Sequence, residues 1–218
     1  GMDEKGYLRL ITDRELQASM ASSAEHSGYL TLGVDPAAGG DNSAIVLKSA
    51  NLQEILFNQK LQDTMDLVGL TADIYRKVHA DIVAIDKTGI GQGVYDRLRE
   101  MDIPCLGVVF GEKSLDDMFV NKKAELHWAE RKWLLSGGRL AQNTGWNEFE
   151  YVKYKNKDGK LIIQPKEELF REGIMSPNCV DAAVLTMAIS DNTIKTNRQV
   201  KQRGGMFYDH TEEIYLNG

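Results

Sequence analysis

Residues 81–86 read DIVAID, a short and nearly continuous apolar run closed by aspartates at both ends. Such a run fits a strand buried on both faces. Upstream, Leu67, Leu70, Thr71, Ile74 and Val78 recur at helical spacing, with Asp63 or Thr64 available as the N-cap. Downstream, a glycine-rich turn leads to Val94, Leu98 and Met101, again at helical spacing, and then to a strand over residues 103–110. Helices alternating with strands in this way imply parallel pairing through right-handed crossovers.

Working outward, residues 29–35 (YLTLGVD), 43–49 and 54–61 read as three strands, the first pair joined by a turn over 36–42 rich in Gly and Asp. Their connections are short enough for an antiparallel meander. Residues 117–135 read as a long helix stopped by Gly137-Gly138. Strands at 151–154 and 161–164 flank Asn156-Lys157-Asp158-Gly159, whose Asp-Gly pair is a strong hairpin signal. Ser176-Pro177 opens the last helix, with Ser as cap, Pro in the first turn and an apolar face over 180–189. The expected architecture is α/β: a mixed five-stranded sheet, three antiparallel strands then two parallel, flanked by helices and carrying an added β-hairpin. That element order is the order of the ribonuclease H-like fold, expected over residues 29–192. Residues 1–28 read as a polar linker or N-terminal arm with a short helix near 14–20, and 193–218 as a flexible C-terminal tail.

The chain has 218 residues, 42% hydrophobic and 27% charged, which suits one globular domain with a core that needs no disulfide. Its two cysteines, Cys105 and Cys179, form no CxxC pattern and read as reduced thiols. No apolar run approaches the roughly 18 residues of a membrane span, and no signal-peptide pattern opens the chain. The initial Gly1-Met2 reads as an expression scar, so the natural start is expected elsewhere. A net charge of −6 argues against gripping nucleic acid with the whole surface. Clustered carboxylates would make a metal-dependent enzyme acidic, and bound cations reverse their local charge.

Three aspartates stand out by position. Asp35 ends the first strand and Asp86 the DIVAID strand. Asp181 lies about one turn into the last helix, in line with Val184, Leu185 and Ala188. A lone Asp at a strand end is commonly a turn residue, and one near a helix start is favoured by the dipole. As a set they converge in the expected fold at the carboxyl edge of the sheet, where ligands bind. Carboxylates gathered in a buried line are costly without a compensating cation, and oxygen-only ligands suit Mg²⁺ or Mn²⁺.

Four segments, GVDPAAGGDNSAIV (33–46), AIDKTGIGQGVYDRL (84–98), NKKAELHW (121–128) and SPNCVDAAVLTMA (176–188), resemble the successive motifs of the nuclease domain of tailed-bacteriophage terminase large subunits. The resemblance covers roughly residues 29–189 in family order. It implies a metal-dependent endonuclease that cuts concatemeric double-stranded DNA during genome packaging, using two Mg²⁺ or Mn²⁺ ions held by Asp35, Asp86 and Asp181. Asp41 matches a further acid that some members use near the metals. Asn121 and Glu125 match positions behind the ligands, while Asn178 stands where the family often has Asp. The resemblance further implies a packaging ATPase domain, a small terminase subunit and a portal protein as partners, and the cytoplasm of an infected or lysogenic bacterial host as location. Candidate DNA contacts are Lys87, Lys166 and a hairpin face of Lys153, Lys155 and Lys157, which alternation places on one side. Lysines around a hairpin also serve simply to protect a sheet edge.

Two other readings compete. Asp35-Pro36-Ala37-Ala38-Gly39-Gly40 faintly resembles the phosphate loop of actin and sugar-kinase-type phosphotransferases, and the acids of a DNA-binding or assembly module could be purely structural. The Gly89–Gly93 run lacks GxGxxG spacing, so it reads as a tight turn rather than a dinucleotide loop. No GxxxxGK[ST] segment occurs in the sequence. A clean preparation is therefore expected to show no ATP turnover in a phosphate-release assay, and measurable hydrolysis would favour the phosphotransferase reading.

Overall fold

The chain enters the core at Tyr7, and the elements follow in sequence order. These are β1 (Leu8–Arg9), α1 (Asp13–Ser19), β2 (Met20–Ala21), β3 (Thr31–Asp35), β4 (Ser43–Lys48) and β5 (Leu52–Gln59), then α2 (Thr64–Val78), β6 (Ile82–Asp86), α3 (Gly91–Glu100) and β7 (Cys105–Val108). The second half holds α4 (Lys122–Leu135), β8 (Arg139–Ala141), a 3-10 stretch (Thr144–Tyr151), β9 (Lys153–Lys157), β10 (Lys160–Ile163), α5 (Lys166–Arg171), α6 (Asn178–Leu185), a 3-10 turn (Thr186–Ala188) and α7 (Asp191–Gln202). The computed structural model describes residues 1–21, 23–37 and 40–204. Ala38 and Gly39 of the turn expected over 36–42, Ser22 of the expected arm and residues 205–218 of the expected tail lie outside the described residues.

The principal sheet has seven strands in the order β2-β8-β5-β4-β3-β6-β7. β3, β4 and β5 pair antiparallel, and β6 and β7 add in parallel, as the sequence pattern implies. The two extra strands, β8 and β2, extend the sheet in parallel beyond β5. They are three and two residues long, too short to carry a period. Leu32, Val34, Val83 and Ile85 pack under α2 and α3, whereas Ala44, Val46 and Ala84 pack under α4 and α6. A separate three-stranded sheet, β1-β9-β10, contains the hairpin.

Four expectations need correction. The N-terminal segment is not a frayed arm. Tyr7, Leu10, Ile11 and Leu16 are buried, and Thr12 and Glu15 form a reciprocal capping box at the start of α1. The tail is helical through Gln202: Ser190 caps α7, and Ile194 packs on Ile82 and Leu106. The long helix begins at Lys122 rather than 117, because Asn121 accepts from the Ala124 amide and fixes the start there. Ser176 does not cap α6; its hydroxyl is buried without a partner, and Glu148 supplies the cap from a distant turn.

One contact sets how deeply α6 seats on the sheet. A Cβ placed on Gly33 would lie 1.9 Å from the Ala182 carbonyl oxygen. Only glycine lets the helix backbone approach this closely. Gly33→Ala is expected to destabilise the protein by about 3 kcal/mol, since backbone rather than a flexible side chain must yield. Urea unfolding measures this, and a loss below about 1 kcal/mol would show that α6 is not seated as described.

Candidate metal centre

β3 and β6 run parallel and in register, with Gly33 opposite Ala84 and Val34 opposite Ile85. The next residues along, Asp35 and Asp86, therefore end neighbouring strands side by side, roughly 5 Å apart in backbone. Side chains alternate along a strand, so Asp35 and Asp86 share the face of Gly33 and Ala84. That face meets α6, which carries Asp181 one residue before the Ala182 carbonyl that touches Gly33. Three acids remote in sequence are thus brought to the carboxyl edge of the parallel strands. Gly91 makes the matching approach at β6, where a Cβ would lie 1.7 Å from the Asp86 carbonyl oxygen. This close packing explains the glycine-rich turn without a dinucleotide.

Asp181 is fully buried, with Lys166 Nζ 3.0 Å from its Oδ2 and His127 Nε2 3.5 Å from its Oδ1. The His127 ring is oriented by Nδ1, which donates to the Lys123 carbonyl oxygen at 2.7 Å. Burial alone would raise the Asp181 pKa, but Lys166, His127 and Lys123 together hold it below the usual carboxylate range. Lys166 is raised in return, chiefly by Asp181, and burial lowers Lys123. Asp35 goes the other way. Burial pushes its carboxyl well above the ordinary value against the pull of Lys166, and Asp181, Asp86 and Glu148 push it further. Their surroundings thus drive the two carboxyls in opposite directions, Asp35 up and Asp181 down.

The donor chemistry fits a hard divalent cation: every candidate ligand atom is a carboxylate oxygen, and Asp35 Oδ2 is buried with no hydrogen-bond partner. Among the described residues no three His, Cys, Asp or Glu side chains stand close enough to share one ion. Lys166 supplies the compensating positive charge instead.

The other candidates divide. Asp41 is exposed and lines a cavity with Lys166, at the rim of the cluster. Asn121 caps α4, and Glu125 accepts from Ser114 and pairs with Lys122 at 2.8 Å. The same helix instead turns Lys123 and His127, four residues apart, towards Asp181. Lys87 lies over the Tyr95 ring on the α2–α3 side of the sheet, opposite the acids. Lys153 Nζ is 3.1 Å from Asp3, Lys155 Nζ sits over the Tyr7 ring, and Lys157 is exposed at the hairpin end. Lys153 and Lys155 are thus covered by the N-terminal segment.

Sequence reasoning missed Lys123, His127 and Glu148. The two former lie inside the quoted 121–128 segment, one helical turn apart. Nothing local marks Glu148, whose Oε2 accepts from the Cys179 and Val180 amides at 2.9 and 3.1 Å. Burial pushes its carboxyl up to about 7 against those hydrogen bonds.

The architecture is ribonuclease H-like, with the acids at the ligand edge of its sheet. No protein family and no curated protein matches the sequence. Among solved structures the fold is similar to the nuclease domain of the large terminase subunit gp2 of bacterial virus Sf6, with a TM-score of 0.74 and 18% identity over 84% of this chain and 100% of that one. It is also similar to the large terminase nuclease from thermophilic phage G20c, with a TM-score of 0.62 and 14% identity over 84% and 99%. The same G20c nuclease with bound magnesium gives 0.59 and 16%, over 80% and 94%. A K428A mutant of the Sf6 domain has also been solved with manganese.

The raised pKa of Asp35 has a definite sign for stability. A group whose folded-state pKa exceeds its unfolded value of about 3.9 contributes fully below about pH 4 and loses that contribution as pH rises through the folded-state value. Asp35→Asn removes the penalty. At pH 7.5 without metal the variant is expected to melt about 3 °C higher than the parent, roughly 1 kcal/mol in a chain of this size. It should also lose the parent's stabilisation by Mn²⁺. A lower melting temperature, or an undiminished Mn²⁺ shift, would contradict this reading of Asp35.

Proposed function

We propose that this chain is a metal-dependent endonuclease domain of the terminase large-subunit type, cutting concatemeric double-stranded viral DNA during genome packaging. The observation that carries the proposal is the convergence of Asp35, Asp86 and Asp181 from three elements onto one edge of a fold similar to that of phage terminase nucleases. Asp35, Asp86 and Asp181 would hold two Mg²⁺ or Mn²⁺ ions, with Asp41 at the periphery. When bound, two such ions make water a nucleophile at neutral pH and stabilise the leaving oxygen of an in-line displacement.

The chain's own groups prepare this chemistry. Lys166 keeps Asp181 ionised and, with 41% of its side chain exposed, can also meet a phosphate. His127 and Lys123 face Asp181 from α4 and add positive field to its carboxylate. Glu148 holds the first turn of α6 and so the height of Asp181 above the sheet. Lys157, exposed on the hairpin, offers a charge to the duplex; Lys153 and Lys155 would join it by exchanging Asp3 and Tyr7 for phosphate. Lys87 contributes only to the positive field from the far side of the sheet. The wider assembly in this proposal includes a packaging ATPase domain, a small terminase subunit and a portal protein, in the cytoplasm of a bacterial host. Among the described residues no helix is long and apolar enough to cross a membrane.

A plasmid-nicking assay with Mn²⁺ tests the proposal. The parent chain should nick or degrade duplex DNA without sequence preference. Asp35→Ala, Asp86→Ala and Asp181→Ala should each abolish cleavage, because the three act as a unit. Asp41→Ala should lose activity only in part. Full activity in any one of the three removes that residue from the site, and an inert parent with both Mn²⁺ and Mg²⁺ overturns the proposal.

A further inference from the structure

α5 and the turn after it line a cavity of about 620 Å³ whose walls include Asp41, Lys166, Phe170, Arg171, Ile174 and Met175. Lys166, which lines the cavity, also lies 3.0 Å from Asp181 Oδ2 and so joins the cavity wall to the acids. Phe170 follows Lys166 by four residues on the same short helix, so the ring and the ammonium share a face, with Cβ atoms roughly 5–6 Å apart. Phe170 is 82% exposed and Met175 61% exposed. Single exposed apolar residues are ordinary. Here two of them, with Ile174, flank one cavity of nucleotide size that shares Lys166 with the acid cluster.

The charge of the walls narrows the occupant. Lys166 and Arg171 are balanced by Asp41 and Glu167, which also lines the cavity. A further phosphate would find no net attraction there beyond Lys166. A flat, uncharged aromatic group would find an exposed ring, a thioether and an aliphatic side chain. Aromatic side chains bind single-stranded nucleic acid through the faces of its bases, whatever the sequence.

Resting on the nuclease reading, we infer that this cavity is a nucleobase subsite, in which Phe170 stacks on an unpaired base adjoining the phosphate presented to the carboxylates. Ile174 and Met175 close on the edge of the base. The duplex must then open locally at the cut, so frayed or single-stranded segments bind more tightly than a stable duplex.

Binding can be read without cleavage, using short single strands that carry 2-aminopurine at successive positions, titrated with the full chain in EDTA. The parent should quench the probe. Phe170→Ala should bind about tenfold more weakly with most of the quenching lost, and Phe170→Trp should restore both. Mn²⁺ affinity, measured by calorimetry, should not change in Phe170→Ala. No quenching by the parent, parental affinity in Phe170→Ala, or Phe170→Leu performing as well as Phe170→Trp would each overturn the subsite. The two proposals fail separately: a chain that quenches yet cuts nothing with Mn²⁺ keeps the subsite and loses the nuclease, and one that cuts without quenching does the reverse.

Discussion

The close seating of α6 on β3, made possible by the missing side chain of Gly33, is the contact on which the rest of the site depends. It brings the helix backbone against the sheet and lowers Asp181 to the level of Asp35 and Asp86. The sheet cannot compensate for a helix held higher, since β3 is buried along its whole length and fixed on both sides by β4 and β6. Apolar packing of Val180, Ala183 and Val184 secures the helix, and Glu148 satisfies its first amides from another part of the chain. The precision of the acid cluster is therefore a property of packing, and its charge is a burden that packing must carry.

That burden is distributed unevenly. Asp35 and Asp181 are almost wholly buried, and carboxyl groups so placed need a counter-charge to ionise. Lys166, Lys123 and His127 are all turned towards Asp181, which becomes the fixed anion of the site. Asp35 lies at the end of β3, where burial raises its carboxyl against the pull of Lys166. Divalent cations, bound there as proposed, would offset the charge that burial makes costly. Functional sites commonly keep such unfavourable arrangements at the expense of stability.

Much of this was legible in the sequence where local rules suffice. β3 to β7 announce themselves through period and turn chemistry, and the three acids stand out because each interrupts or closes an apolar line. What escaped depends on distant partners. β2 and β8 exist only as additions to the edge of β5. Tyr7, Leu10 and Ile11 belong to the core because the hairpin and α4 cover them, which a short segment of polar neighbours does not reveal. Ser176 has every local mark of a cap, yet Glu148 from a 3-10 stretch takes the role. On α4, position within one helical turn decides which residues reach Asp181. Asn121 and Glu125 serve the helix start and the preceding loop, while Lys123 and His127 point inward, a rotation that could not be set until the helix start was known.

The central claim is that Asp35, Asp86 and Asp181 form one cation site at the edge of this sheet. Anomalous diffraction from a crystal soaked in Mn²⁺ tests it most directly. The account predicts anomalous peaks bounded by these three carboxylates, with Asp35 deprotonated and in contact with metal. Ordered carboxylates with no anomalous density among them at saturating Mn²⁺, or peaks only at surface acids elsewhere, would contradict it.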